Sequence, residues 1–457
     1  MRVLKFIHLS DIHFHYATSN GPYDLDDVIR HELVINAVEG ARELGGVDGV
    51  LVSGDIAFCG VHQEYDTAYQ WLNHLCQETN CSINRVWTVP GNHDVDWKKI
   101  EGNRNAERLR ATLRQIPTDQ LNNEIRKTLE DVNDRQLLFE PLEQYNIFAA
   151  NLGCCSTANP LYWEHDVPLN DGSTLLVRGM NSTLISDKDD SDKEESKKLI
   201  LSSFQTKFMR DDGVVHLTMC HHPLEWLRDR YEIEDWLDAH ARVQLFGHRH
   251  VQRVKPVADN LRIASGAMHP VRDEAGWEPR YNFITLEVRY DERGRWLHVE
   301  VHPRVWNDTL KRFLPDNIGV HARDLPLANW RPAPLTSSPP PTELTAHEDL
   351  AAVVASIRSD LLELEDNQSR MEVSILNAGE KLTSRYMSLP HSLQKQIARK
   401  LELLDVEDID VSDTELYRRY FRRAKERKLL ERLWNEVESI YADRGEEYTV
   451  ENPFAGR

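Results

Sequence analysis

Short apolar strands and amphipathic helices alternate over the first hundred residues, which limits the chain to a few folds. Residues 3–9 and the segment VDGVLV are typical of buried strands, and residues 27–43 between them carry apolar side chains at helical spacing. A second helical pattern over 64–79 leads to a third strand in INRVWTV. The alternation predicts a parallel sheet with crossover helices. Ligands of such sheets bind beyond the carboxyl ends of the strands.

Polar clusters with metal-binding groups follow five of the predicted strands. Three are the strands above, and two later strands, VVHLTMC and RVQLF, end in the same way. One such cluster alone is more often an ordinary turn or surface feature than a ligand set. Five in succession, each at a strand end, favour one metal site built from distant parts of the chain. The clusters are Asp11-Ile12-His13, Gly54-Asp55, Gly91-Asn92-His93-Asp94, Cys220-His221-His222-Pro223 and Gly247-His248-Arg249-His250.

The mixture of ligand types indicates which metals would bind. Carboxylate, imidazole and amide groups together suit Mn, Fe or Zn better than Ca or Mg, which prefer shells made only of oxygen. The ligands are too many for one tetrahedral zinc. They fit two divalent ions that share one bridging carboxylate.

In this order, the motifs D-x-H, G-D, G-N-H-D, H-H-P and G-H-x-H resemble those of the calcineurin-like metallophosphoesterases. The resemblance covers roughly residues 3–305 without a substitution at a ligand position. It implies an α/β fold, an αββα sandwich of two mixed sheets, with Asp55 bridging two ions of which Mn is favoured and Fe or Zn are alternatives. His221 is preferred to His222 because the family's ligand directly follows the strand. The remaining ligands would be Asp11, His13 and His250 on the first ion and Asn92, His221 and His248 on the second.

The resemblance also implies how a phosphoester would be cleaved. Two adjacent ions lower the pKa of a shared water, and the resulting hydroxide attacks phosphorus. His93 would protonate the leaving oxygen, and Asp94 would orient His93, although Asp94 is equally well explained as a turn residue. Substrate contacts are expected from His15, His222 and Arg249, and the alternative for Arg249 is a side chain that points to solvent.

Three functions fit these motifs. The opening HLSDIHF is more similar to the nuclease and phosphodiesterase branches of the family than to the protein-phosphatase branch. A phosphodiesterase or nuclease acting on nucleotides or nucleic acid is therefore the first hypothesis. A phosphomonoesterase acting on phosphoprotein or a small metabolite is the second. The third is a scaffold with a structural metal site that acts through its helical C-terminal part.

The rest of the chain is predicted to form further units. A metallophosphoesterase domain over 1–325 would contain a helical insertion near 99–150, and a Pro/Ser-rich linker at 326–342 would follow it. Residues 343–457 are poor in glycine and are predicted to be helical. Helical spacing over 349–376 suggests an amphipathic helix that either self-associates or packs on its own domain. The basic segment 418–428 is either a nucleic-acid contact or, as favoured here, a solvated face.

Residues 343–457 also resemble a class of small adaptor domain. A leucine-proline start, a pair of helices, a helix ending in Leu-Trp and a closing Asn452-Pro453-Phe454 are similar to the effector-associated helical domains of bacterial defence systems. Those modules join an effector enzyme to a partner through contacts between like domains. The resemblance implies a protein partner, or self-association, through 343–457.

Composition limits the compartment and the partners. The formal net charge of −20 argues against a broad surface for polyanions but leaves room for a local basic groove. No apolar run is long enough to span a membrane, and the N-terminus lacks the features of a signal peptide. The six cysteines form no CxxC pair. We therefore expect a cytoplasmic protein with reduced thiols and no contact with a membrane.

Overall fold

The chain divides into two compact units, Met1–Pro332 and Ala333–Arg457. The computed structural model describes residues 3–15, 26–158, 160–188, 190, 199–209, 211–268 and 278–330 of the first unit. In the second unit it describes residues 382, 385, 386, 397, 398, 400, 401, 403, 413–443, 452 and 454.

The first unit alternates strands and helices and then ends in strands. Its strands are β1 (Leu4–Leu9), β2 (Gly49–Val52), β3 (Val86–Thr88), β4 (Tyr162–Pro168), β5 (Thr174–Met180), β6 (Val214–Cys220), β7 (Ala241–Phe246), β8 (Arg253–Val257), β9 (Asn260–Ala264), β10 (Arg280–Asp291), β11 (Gly294–Asn307), β12 (Arg312–Pro315) and β13 (His321–Leu327). Its helices are α1 (Asp27–Leu44), α2 (His62–Glu78), α3 (Arg104–Gln115), α4 (Thr118–Glu130), α5 (Val132–Phe139), α6 (Glu143–Ala150) and α7 (Arg230–His240).

These strands form two mixed sheets. The first has the order β12-β11-β10-β1-β2-β3, and β13 pairs with the other end of the long strand β11. The second has the order β4-β5-β6-β7-β9-β8. Strands β1, β2 and β3 are parallel, as are β5, β6, β7 and β9, whereas the outer pairings are antiparallel.

The two sheets face each other across one apolar core. Phe6 and Trp87 of the first sheet and Val177 and Leu245 of the second belong to the same buried cluster. The strands are apolar on both sides because helices or the other sheet cover each face. This architecture confirms the sandwich of two mixed sheets that the resemblance implied.

The structure shows which helices and strands lie at the predicted insertion and at the predicted end of the metallophosphoesterase domain. Helices α3 to α6 occupy the segment near 99–150, where a helical insertion was expected. The strand β13, which pairs with β11, runs past the domain end suggested at residue 325. Its exposed and charged residues gave little strand signal in the sequence.

The second unit has its own core of helical side chains. Its described helices are α8 (Asp413–Glu426) and α9 (Leu430–Asp443). Tyr420 and Phe421 of α8 pack with Leu433 and Trp434 of α9 in one buried cluster. The aromatic residues of the basic segment are therefore inside, as the solvated-face interpretation requires. The amphipathic helix predicted at 349–376 and residues 331–342 of the predicted linker lie outside the described residues.

The membrane prediction can be compared with the described helices. None of the helices in the described part of the chain is both long and apolar enough to cross a bilayer.

Candidate metal centre

The candidate site lies where strand ends of both sheets meet. The first sheet contributes the loops after β1, β2 and β3, and the second contributes the loops after β6 and β7. His221, directly after β6, donates from Nδ1 to the backbone oxygen of Ser53 after β2, at 2.7 Å. This hydrogen bond ties the second sheet to the first and leaves Nε2 of His221 free to face the site.

The loops after β1 and β2 are bound together through their backbones. The amide of Asp11 donates to the oxygen of Gly54 at 3.0 Å, and the amides of Ile12 and His13 donate to Asp55 oxygen at 2.9 and 3.1 Å. A Cβ on Gly54, which has a φ of +91°, would lie 2.6 Å from Nδ1 of His221. Only glycine therefore fits at this position.

Four predicted ligands adopt left-handed backbone conformations. Asp11 and His13 have φ of 53°, Asp55 has 52° and His248 has 63°. Such values cost free energy for residues with a Cβ, and they cluster at functional sites when the surrounding structure holds them. Here the conformation turns the side chains of sharp strand-end loops toward one point.

Asp55 occupies the middle of the cluster. Its Oδ2 lies 3.3 Å from Nε2 of His13 and 3.3 Å from Nε2 of His221. Its Oδ1 accepts from the backbone amide of His93 at 2.8 Å. A Cβ on Gly91 would lie 2.1 Å from that Oδ1, so the neighbouring loop must have glycine there. One carboxylate with a histidine on each side has the arrangement expected of a bridging ligand.

Asn92 and His248 extend the cluster beyond His221. The Oδ1 of Asn92 lies 3.2 Å from Nε2 of His221 and 3.1 Å from Nδ1 of His248. The amide of His248 donates to Oδ2 of Asp11 at 3.2 Å, which links the last motif to the first. Five motifs far apart in the sequence thus converge.

His250 is the most peripheral of the predicted ligands. It is half-buried, and it is close enough to influence the pKa of both Asp11 and His248. His250 therefore lies near both Asp11 and His248, and its assignment to the first ion stays a prediction.

Charges around Asp55 favour its ionised form. Burial would raise the pKa of this carboxyl, but His221, His93 and a hydrogen bond from His13 together lower it well below its usual range. Burial would likewise lower the pKa of His221, yet the carboxylate of Asp55, followed by Asp11, raises it to about 9. The centre thus attracts positive charge.

The remaining groups are shifted mainly by burial. Burial, with a smaller effect of Asp55, raises the pKa of Asp11, whereas His221 and His250 oppose this. Burial and neighbouring imidazoles lower the pKa of His222 and of His248 well below the usual value. These two histidines are neutral, which is the form that binds metal.

His93 and Asp94 lie beside the cluster but do not contact each other's side chains within the described structure. The Nδ1 of His93 donates to the backbone oxygen of Phe58 at 2.9 Å. Asp94 is fully buried, and its carboxylate accepts from the amides of Ile56, Ala57 and Gly91 at 3.2, 2.9 and 2.9 Å.

The expectation that Asp94 orients His93 is therefore wrong. A backbone carbonyl orients His93, and the Asp94 carboxylate holds the loops after β2 and β3 together. The hydroxyl of Tyr65 also donates to it at 3.0 Å. A sequence motif shows that the two residues are adjacent, but not which way each side chain turns.

The three expected substrate contacts differ in position. The Nδ1 of His222 is 2.8 Å from Oγ of Ser182, and its ring centroid is 4.6 Å from that of His248. His15 lies against Phe58, with ring centroids 4.7 Å apart, at the edge of the cluster. Arg249 forms an ion pair with Glu225.

Several contributors were not assigned from sequence. Ser53 accepts from His221, and Tyr65 anchors Asp94. Phe58 supplies the carbonyl for His93, and Trp226 packs edge-on to His248 with centroids 4.2 Å apart. Of these residues, Ser53 could have been found from the sequence, because it directly precedes the Gly54-Asp55 motif.

The donor set fits divalent metal ions. Donor atoms of Asp11, Asp55 and His221 lie within 4.8 Å of one another, and so do those of His13, Asp55 and His93. The same holds for the trio of His221, His222 and His248. Oδ1 of Asp11 is buried and has no hydrogen-bond partner among the described residues. A buried carboxylate oxygen without a partner is costly unless a cation binds it.

A two-sheet sandwich with such donors at its strand ends defines the metallophosphoesterase class. The family model described as calcineurin-like phosphoesterase matches residues 4–252. The chain belongs to the calcineurin-like phosphoesterase family. A second family model, described as a GTPase-associated adaptor domain, matches residues 379–439 and agrees with the adaptor resemblance of the C-terminal unit.

Individual relatives are distant. An uncharacterized metallophosphoesterase-like protein of Bacillus subtilis is 23% identical over 332 residues, which are 69% of this chain and 62% of the relative. The chain therefore matches less than two thirds of the length of that curated relative.

Among solved structures, vacuolar protein sorting 29 of Cryptosporidium parvum is similar at 11% identity and a TM-score of 0.32, covering 70% of this chain and 98% of the other. A putative 5′-nucleotidase of Staphylococcus aureus has 12% identity and a TM-score of 0.35, covering 77% and 59%.

Proposed function

We propose that this chain hydrolyses phosphodiester bonds of a nucleotide or nucleic acid at a centre that binds two divalent ions. Mn is the favoured ion, and Fe or Zn also suit the mixed oxygen and nitrogen donors. Asp55 would be shared by the two ions. The other ligands would be Asp11, His13 and His250 on one side and Asn92, His221 and His248 on the other.

The observation that carries this proposal is the position of His93. Its donor atoms lie within 4.8 Å of those of His13 and Asp55, yet its Nδ1 is committed to the oxygen of Phe58. Because a carbonyl can only accept, the proton resides on Nδ1, and Nε2 remains available to carry a second proton. A proton donor beside the centre suits a leaving group that needs protonation, as that of a diester does.

The protein's residues would position the substrate and move the proton. Divalent ions, when bound, lower the pKa of an attacking water and neutralise charge on the phosphate. His93 would give its Nε2 proton to the leaving oxygen. The amide of His93 and the rings of His13 and His221 fix the Asp55 carboxylate, so the charge at the centre is preorganised.

The test compares bis-p-nitrophenyl phosphate with p-nitrophenyl phosphate in Mn²⁺, alongside DNA, RNA and cyclic nucleotides. We expect the diester to be the better substrate. We expect His93→Ala to lower kcat on it by about 10²- to 10⁴-fold, the usual contribution of a general acid. The full-length protein with its natural His93 is the reference.

Other outcomes would select another function. Faster hydrolysis of the monoester would point to a phosphomonoesterase. Activity that survives His93→Ala would remove the acid role. No hydrolysis with Mn²⁺, Fe²⁺ or Zn²⁺, although two metals are bound, would leave only the scaffold hypothesis.

We also infer that residues 343–457 recruit a protein partner. The match to an adaptor-domain model and a separate buried core, which includes Leu382, Tyr386 and Trp434, support a self-contained interaction unit. A partner with a similar module is expected, in keeping with a role in bacterial defence. Size-exclusion chromatography coupled to light scattering, with and without proteins encoded beside this one, tests it. A chain that stays monomeric and binds none of them would contradict it.

A further inference from the structure

A group of cations lies directly beside the metal centre. Arg249, Arg253, Lys255 and Arg262 line a cleft of about 100 Å³, and we call these four residues the basic strip. The cleft is also lined by Pro223, the residue after His222. Arg249 stands between two predicted ligands. The strip therefore begins at the His248 side of the centre and continues along β8 and β9.

The charges of the strip are only partly neutralised. Arg249 pairs with Glu225, and Arg262 pairs with Glu234 and Asp238 on α7.

Arg253 and Lys255 are exposed on the edge strand β8, and neither forms an ion pair with any residue that the structure describes. Lys255 moreover stands opposite Arg262 in the β8–β9 register. Arg262 is compensated by Glu234 and Asp238, whereas Lys255 has no acidic partner among the described residues. A chain with net charge −20 thus concentrates unneutralised cations at this edge, which suits an anionic ligand.

An aromatic side chain lies on the far side of the metal centre from the basic strip. Starting at His248, successive contacts cross the centre through Asn92 and His221 to Asp55 and then His13.

The series ends at Phe58, whose ring centroid is 6.1 Å from that of His13 and 5.4 Å from that of His93. Phe58 is 36% exposed, so part of its ring can be reached by a ligand. An exposed aromatic ring beside a phosphoesterase centre offers a surface on which a base can stack.

We propose that a single-stranded nucleic acid crosses the centre, with backbone phosphates on the basic strip and one base against Phe58. This inference rests on the proposed function and names its substrate class. Cations that follow a backbone, together with aromatic rings that accept any base, are the usual means of binding single strands without sequence preference. The short strip accounts for how an acidic protein could bind a polyanion locally.

The first experiment measures binding without catalysis. A fluorescent twelve-residue oligothymidylate is titrated with the full-length, EDTA-treated protein by anisotropy at several salt concentrations. Removing two cations in Arg253→Gln/Lys255→Gln should reduce the slope of log Kd against log salt by about 1.4, since each phosphate contact on a single strand contributes about 0.7. An oligouridylate arm distinguishes RNA from DNA.

A matched control uses two exposed cations on the first sheet. Arg312 on β12 and Arg323 on β13 form no ion pairs within the described residues, and the same is true of Arg253 and Lys255. The double variant Arg312→Gln/Arg323→Gln carries the same charge change away from the cleft. We expect its salt slope to equal that of the unmodified protein. An equal loss of slope in both double variants would overturn the assignment to the strip.

The stacking partner is tested separately. Phe58→Ala should weaken oligonucleotide binding about tenfold, and Phe58→Trp should restore it, because every base has a face that stacks on an aromatic ring. Both changes keep the backbone carbonyl that orients His93. Equal affinity of the alanine and tryptophan variants would remove Phe58 from the proposal.

The inference and the proposed function fail in different ways. Absence of phosphodiester hydrolysis with Mn²⁺, Fe²⁺ and Zn²⁺ would refute the function, whatever the anisotropy shows. Hydrolysis of that small diester with an unaltered salt slope in the strip variant would refute the inference alone. In kinetics, the ratio of kcat/KM for the oligonucleotide to that for the small diester should fall about tenfold in the strip variant. Tighter binding of a duplex than of the single strand would also overturn the inference.

Discussion

At the residue scale, the sequence motifs indicated which side chains form the centre, but not which groups they bind by hydrogen bonds. Motifs at strand ends identified Asp11, Asp55 and Asn92 because a parallel sheet must bring those ends together. The motifs did not show that Ser53 orients His221 through a backbone oxygen. Every residue has a backbone carbonyl, so residue type does not reveal which carbonyl accepts a hydrogen bond. The orientation of the ligand side chains therefore could not be predicted from the sequence.

Asp94 gives a prediction about stability rather than chemistry. Asp94→Ala leaves the buried amides of Ile56, Ala57 and Gly91 without an acceptor. Each such loss costs about 1 kcal/mol or more, so we expect the free energy of unfolding to fall by about 3 kcal/mol. Chemical denaturation followed by circular dichroism measures this. His93→Ala is the control, and it should unfold close to the unmodified protein. Equal stability of the two variants would contradict the role of Asp94 in holding the loops after β2 and β3 together.

At the element scale, the well-buried strands were predictable from the sequence, whereas the exposed edge strands β4 and β8 were not. Strands β1, β2, β6 and β7 are short, mainly apolar segments that are buried at nearly every position, and they appear where the sequence placed them. β4 alternates buried and exposed residues between polar segments, and β8 is almost wholly exposed. Edge strands bury little, so their hydrophobic signal is weak.

One ion pair fastens the turn between β4 and β5 to β11 of the other sheet. Arg295 is buried and donates to Asp171 at 2.9 Å and to Ser173 at 2.6 Å. Partial burial would raise the pKa of the Asp171 carboxyl, but hydrogen bonds from Ser173 and Arg295 lower it below its usual value. A lowered folded pKa stabilises the protein above the unfolded pKa, near 4, and this stabilisation is lost as pH falls.

We therefore expect Asp171→Asn to destabilise the first unit by about 3 kcal/mol at pH 7, because Arg295 keeps a buried, uncompensated charge. The difference from the unmodified protein should shrink as pH falls below about 4. Urea unfolding at pH 7 and pH 3 measures both quantities. Glu287→Gln, which removes an exposed ion pair with Arg289, is the control and should have a small effect at both pH values. A constant difference between the two pH values would show that Asp171 acts without its charge.

At the scale of the whole molecule, the chain joins a sandwich to a separate helical unit. The sequence separated the two because a Pro/Ser-rich stretch lies between an alternating pattern and a glycine-poor one. It placed the division before the end of β13, whose charged residues resemble a linker more than a strand.

Metal binding should change the stability of the whole first unit. Asp11 and Asp55 are buried carboxylates in one cluster, so ions that bind there stabilise the folded state more than the unfolded chain. We expect Mn²⁺ at a hundredfold excess over its Kd to add about 2.7 kcal/mol of stability. Calorimetry of EDTA-treated protein with and without Mn²⁺ measures the rise in Tm. Asp55→Asn should show little of this rise, and an equal rise in that variant would place the ions elsewhere.

The hydrogen bond between His221 and Ser53 has a consequence for how the protein would fail under stress. Four of the seven predicted ligands follow strands of the first sheet and three follow strands of the second, so the centre exists only while the two sheets remain packed together. A slight parting of the layers, too small to melt any strand, would pull His221 and His248 away from Asp55. On heating, catalytic activity would then be lost at a lower temperature than secondary structure. The difference between the two temperatures would report how tightly the two sheets pack together.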